Sequence, residues 1–194
     1  MKIFASTISI AVLFSILLTP KSSQAYRTTT QSARALDHTT ALFTITYHFG
    51  FLNRELYMPI MAKRTNAVSA TSTDTLFTLL DQSGSSTPIG LMNGLVLSNA
   101  TIKDGQYYLP AGKAADFTLV AAVTVPMSSS SANYALKITS LPFTMVDDGT
   151  KIAGALNPSE LKYYVTPKIE LNDTRVPHSL QIISVTRTNV PTTK

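Results

Sequence analysis

The sequence predicts an all-β sandwich of roughly eight to ten short strands with at most one short helical turn. Three observations carry that expectation. Several segments alternate apolar and polar residues, the period that puts every second side chain on one face of a sheet. Clusters of Gly, Pro, Asp and Ser separate them, as at residues 81–88. Only residues 154–162 combine the residue types that start a helix.

The chain opens with Met1-Lys2, runs through apolar residues from Ile8 to Leu18, and breaks at Pro20. Ser23 and Ala25 then put small side chains where a signal peptidase reads them. That layout is a secretory signal peptide cut after Ala25, so the mature protein is expected to be secreted or held at the cell surface. The apolar run is shorter than the about 20 residues a membrane-spanning helix needs, and no later stretch reaches that length, so no transmembrane segment is expected after cleavage. Losing Lys2 and Lys21 lowers the formal charge of +5 by two. The remaining basic residues are scattered, with Lys63-Arg64 the one adjacent pair, which excludes the clustered stripe that nucleic-acid binding needs. There is no cysteine, so the fold must stand on its core and its backbone ladders, without disulfides or a thiolate-bound metal.

Residues 26–41 are polar and are expected to form an N-terminal arm ahead of a single β-sandwich domain, residues 42–188, with a polar tail at 189–194. Residues 42–49 alternate cleanly, with Phe43, Ile45, Tyr47 and Phe49 on one face and Thr44, Thr46 and His48 on the other. Gly50 ends that strand. Residues 55–61 form the next, where Pro59 suits an edge or a bulge because it cannot donate to a ladder. Residues 63–75 read as a polar loop that could hold part of a short edge strand. Residues 76–80 and 94–98 are short apolar strands, and Asp104-Gly105 is a hairpin signal before Tyr107, Tyr108 and Leu109.

The longest strand covers residues 115–125, with Phe117, Leu119, Ala121, Val123 and Val125 on one face. Val120 and Ala122 on the other suggest a central strand covered on both sides. Residues 134–139 and 141–146 alternate again, and Asp147-Asp148-Gly149 turns the chain. Asn157, Pro158 and Glu160 have the spacing of a capped helical turn. Residues 163–165, Ile169 and residues 179–188 are strand-like.

Leu109-Pro110-Ala111-Gly112, the long strand at Phe117, and the Tyr134, Leu136, Ile138 alternation together resemble a run found in immunoglobulin-like modules of bacterial surface and extracellular proteins. In that run a Pro-Ala-Gly turn leads into a long strand, a loop and a Tyr-x-Leu strand. The likeness extends from Leu109 to Phe143. It implies an immunoglobulin-like β-sandwich and a spacer, adhesion or filament role, and it carries no binding or catalytic residue.

The three histidines, His38, His48 and His178, lack metal-ligand spacing, and no Gly-x-Ser-x-Gly elbow is present. Most acids fall in turns, where Asp is favoured for backbone reasons. No enzyme activity and no cofactor are therefore expected. Two tyrosine pairs, Tyr107-Tyr108 and Tyr163-Tyr164, are the candidate ligand residues, because one member of each must face outward from a strand. The expected function is a non-catalytic structural, adhesive or surface-assembly role, with strand addition to itself or to another surface protein as the contact. The alternative is a glycan- or small-ligand-binding module. Asn99 and Asn172 head glycosylation sequons.

Overall fold

The computed structural model describes residues 26–50, 52–65, 67, 71–87, 91–126, 131–172 and 182–186. The expected signal peptide, the tail and His178 lie outside the described residues. The chain is all-β, with one helical turn. In order, the strands are β1 (Tyr26–Ala35), β2 (Thr40–Gly50), β3 (Glu55–Met58), β4 (Met61–Arg64), β5 (Thr75–Leu80), β6 (Ser86–Thr87), β7 (Leu91–Ser98) and β8 (Thr101–Lys103). They continue with β9 (Gln106–Leu109), β10 (Ala114–Thr124), β11 (Ala132–Ser140), β12 (Pro142–Asp147) and β13 (Thr150–Ala155), then helix α1 (Pro158–Leu161), β14 (Ile169–Leu171) and β15 (Ile182–Thr186). These fifteen strands exceed the eight to ten expected, because short ladder segments at sheet junctions and edges leave little trace in hydrophobic period.

Two sheets form. The larger runs β14-β11-β5-β4-β7-β10-β2-β1-β15, with β6 added to β5, and the smaller runs β13-β12-β3-β9-β8. The larger sheet curls until β14 lies against β1 and β2, close to a barrel, and the Asn172 N–H closes the seam by donating to the His38 carbonyl at 2.6 Å. Its central pair is β2 with β10, in continuous antiparallel register from Thr40 opposite Thr124 to Gly50 opposite Ala114. The alternation puts Phe43, Ile45, Tyr47 and Phe49 of β2 beside Phe117, Leu119, Ala121 and Val123 of β10 inside the curl, all essentially without exposure. Phe117 then joins the sheets: Tyr47 stacks on it at 5.8 Å between ring centroids, and Tyr107 of β9 meets it edge-on at 5.8 Å. Each such ring contributes about 1.5–3 kcal/mol by burial, more than a surface ion pair at about 0–1 kcal/mol, so the aromatic cluster dominates stability.

Several expectations are corrected. Residues 26–35 are not a free arm: they form β1, paired with β2 from Tyr26 opposite Phe49 to Ala35 opposite Ala41. Pro59 marks neither an edge nor a bulge. It sits where the chain leaves β3, central in the small sheet, and enters β4 of the large one. β4 is interior as well, parallel to β5 and antiparallel to β7. β10 is central, but its second face is open, with Ala122 and Thr124 exposed. Residues 150–155, which show no period, form β13. The Asp104-Gly105 and Asp148-Gly149 turns both take positive φ at both residues (54° and 72°, 47° and 77°), the two-residue hairpin geometry that the sequence signals. Glu160 caps α1 as expected, accepting the Asn157 N–H at 2.7 Å.

The Tyr47 hydroxyl and Thr75 Oγ1 are buried close together without hydrogen-bond geometry, and burial pushes the Tyr47 phenol far above its ordinary range. An unsatisfied buried hydroxyl costs stability, whereas the ring supplies it. Tyr47→Phe is therefore expected to leave stability equal or raise it by about 1 kcal/mol. Tyr47→Ala should lose about 3–5 kcal/mol, with urea unfolding as the measurement.

Candidate functional site

The alternation rule sorts the candidate tyrosines. Tyr107 points inward, 6% exposed, with its hydroxyl donating to the Val96 carbonyl at 2.9 Å. Tyr164 is also inward, its ring 6.0 Å from that of Tyr47, and burial raises its phenol well above its ordinary value. Neither is placed to meet a ligand. Their neighbours face out. Tyr163 is half exposed beside the Lys162 ammonium, at 4.7 Å from ring centroid to Nζ.

Tyr108 stands on the outer face of the small sheet, directly opposite Tyr57, with ring centroids 5.1 Å apart. Its hydroxyl donates to Glu55 Oε1 at 2.8 Å, and that bond holds the phenol above its ordinary pKa. Two ammonium groups converge on the pair from opposite edge strands. Lys103 of β8 lies 4.8 Å from the Tyr108 centroid, and Lys151 of β13 lies 5.5 Å from that of Tyr57. The Tyr57 hydroxyl beside it raises the Lys103 pKa. Tyr57 has no tyrosine neighbour in the chain and so is not one of the sequence pairs; only the register of β3 on β9 brings it to Tyr108.

A second surface is the outer face of the large sheet. Hydroxyls pair across its strands: Ser32 with Thr44 at 2.6 Å, Thr46 with Thr118 at 3.0 Å, and Thr40 with Thr124 at 3.2 Å. His48 Nδ1 bonds Asp116 at 2.8 Å beside them, the outward strand position expected for it. Beyond this polar row the face turns apolar, with Met61 52%, Leu95 43% and Leu97 51% exposed and Leu95 registered between Met61 and Val120.

A groove of about 260 Å³ opens where the sheets meet, between Pro59, Thr73, Pro142, Phe143 and Gly154, and its lining carries no ionisable side chain. Among the described residues no three His, Asp or Glu side chains converge as metal ligands, and no helix is long and apolar enough to cross a membrane. Asp147 pairs with Arg54 at 2.7 Å, and Asp148 lies at positive φ in the turn. Of the two sequon residues, Asn99 is exposed. Asn172 is 5% exposed with its amide donating to the Pro126 carbonyl, so the folded chain offers Asn99 alone to a glycosylating enzyme. No family model matches the chain, and no curated protein matches it.

The loop beside the groove is pinned by Asp74, whose Oδ2 accepts from the Thr71 N–H at 2.8 Å, the Thr71 hydroxyl at 2.7 Å and Lys63 Nζ at 3.1 Å. Burial raises this carboxyl, but the Thr71 and Lys63 contacts outweigh it and hold the pKa below the usual 3.8. Its stabilisation is thus complete above the unfolded value and disappears as pH falls through the lower folded value. Asp74→Asn should be less stable than the parent at neutral pH. The gap should close in thermal unfolding below the usual carboxylate pKa.

Proposed function

We propose that the mature chain is an exported, non-catalytic β-sandwich of immunoglobulin-like type with a structural, adhesive or surface-assembly role. The observation that carries this reading is the placement of apolar side chains. The interior between the sheets is filled by aromatic and aliphatic groups, while Met61, Leu95 and Leu97 stand outward on a broad strand face. An apolar patch rimmed by paired hydroxyls is the chemistry of a protein contact surface. Cleavage after Ala25 would leave every residue of β1 in the sheet, so export is compatible with the fold. Cell fractionation with mass spectrometry tests the reading. The chain should be recovered from the surface fraction or the medium with Tyr26 at its N-terminus, and Leu95→Thr with Leu97→Thr should release it from the surface without lowering its melting temperature. Chain retained inside the cell with its leader attached would contradict it.

The Tyr57-Tyr108 pair favours a second reading, a glycan- or small-ligand-binding module, since the partly exposed Tyr108 ring, backed by the buried Tyr57 and flanked by ammonium groups, suits the apolar faces and acidic groups of sugars. Under it, glycan-array binding should disappear on Tyr108→Ala and survive Tyr163→Ala. Binding that ignores both substitutions, or no binding at all, removes this reading.

A further inference from the structure

We propose that β13 is an assembly edge, pairing antiparallel with β13 of a second copy of this chain about a two-fold axis at Ala153. The proposal deepens the assembly reading above and rests on it.

The hairpin chemistry decides which backbone groups are free. The two-residue Asp148-Gly149 turn makes Asp147 and Thr150 the closing, doubly hydrogen-bonded pair. Bonded pairs then alternate along the ladder, so Ile152 and Gly154 exchange bonds with Met145 and Phe143. Lys151, Ala153 and Ala155 therefore turn their N–H and C=O groups away from β12. Among the described residues no strand takes up that side. Every residue of β13 except Gly154 is exposed.

Most proteins guard such an edge with a lysine, a proline or a bulge. β13 has neither proline nor bulge in its register, and its one lysine is drawn inward. The Lys151 ammonium lies 5.5 Å from the Tyr57 ring centroid, on the strand beyond β12, so the side chain crosses its own sheet and leaves the edge clear. Of the other described edge strands, β8 and β14 are three residues long, β14 is folded against β1 and β2, and β15, which ends the large sheet, is one residue shorter than β13.

Self-complementarity selects a second copy as the occupant. With the axis at Ala153, Ala153 faces Ala153 and Lys151 faces Ala155, each pair able to exchange two backbone bonds, and the two lysines do not oppose each other. In the same register Ile152 of one copy faces Gly154 of the other. Ile152 is 41% exposed, an apolar side chain without cover. Gly154 has no side chain of its own and is backed by the Phe143 ring, which a Cβ there would meet at 2.6 Å. The isoleucine of each copy therefore lands beside the phenyl ring of the other, twice by symmetry.

The test is analytical ultracentrifugation of the chain with its leader processed, across a wide concentration range. A monomer–dimer equilibrium is expected, and Ala153→Pro should return the monomer, because that N–H points off the edge and its loss spares the hairpin. A cross-link guards against misfolding of the proline variant. The chain has no cysteine, and facing residues in a bonded pair sit about 5.5 Å apart at Cα, within disulfide range. Ala153→Cys should form an interchain disulfide on mild oxidation, whereas Thr101→Cys on β8 should not. A monomer at every concentration, or a dimer unaffected by Ala153→Pro that cross-links equally from residue 101, overturns the edge pairing. Neither result bears on where the chain resides, which the fractionation decides separately.

Discussion

The register of β2 on β10 is the constraint from which the rest of the molecule follows. A slip of one residue would turn Phe43, Ile45, Tyr47 and Phe49 outward and bring Thr44, Thr46 and His48 into the core, so the alternation itself forbids it. With that register set, Phe117 is held where Tyr47, Phe49 and Tyr107 all reach it, and the small sheet docks on the large one through Tyr107 and Phe143. The same register sends Thr46 and Thr118 outward as a hydrogen-bonded pair. Core and surface are two faces of one ladder.

The absence of cysteine makes this arrangement necessary. No covalent link ties the sheets, and stability comes from aromatic burial across their interface and from closure of the large sheet, where Asn172 binds His38 and Gln31 binds the Tyr163 carbonyl. A small glycine assists: at Gly94 a Cβ would stand 2.6 Å from the Phe77 ring, so the missing side chain is what lets β5 and β7 share that ring across β4. Side chains of complementary chemistry meet at His48 with Asp116, Arg54 with Asp147 and Lys63 with the buried Asp74. Among the described residues, β13 ends its sheet with one side unpaired, and the side chains of Met61, Leu95 and Leu97 stand exposed.

Legibility in the sequence followed burial. β2 and β10 were readable because each buries one face, which stamps a period of two on the residues. The division of the tyrosine pairs was readable for the same reason, one member in and one out. β13 was not, because nearly all of it is exposed and nothing in Thr150, Lys151, Ile152 and Ala153 had to alternate. β1 is hidden by its composition: it turns only the small Ala33 and Ala35 to the core and spends its other described positions on Ser, Thr, Gln and Arg, so it reads as an arm. The openness of β10's outer face leaves no mark in the sequence, because Val120 and Ala122 are apolar and apolar residues commonly remain at a surface.

Residue-resolved amide hydrogen exchange on the processed chain tests the central ladder most directly. The amides of Phe43, Ile45, Tyr47, Leu119 and Ala121 should exchange slowest, near the limit set by global unfolding, with β8 and the chain ends much faster. Exchange in β2 and β10 as fast as in the short edge strands would mean that this ladder does not hold the molecule together.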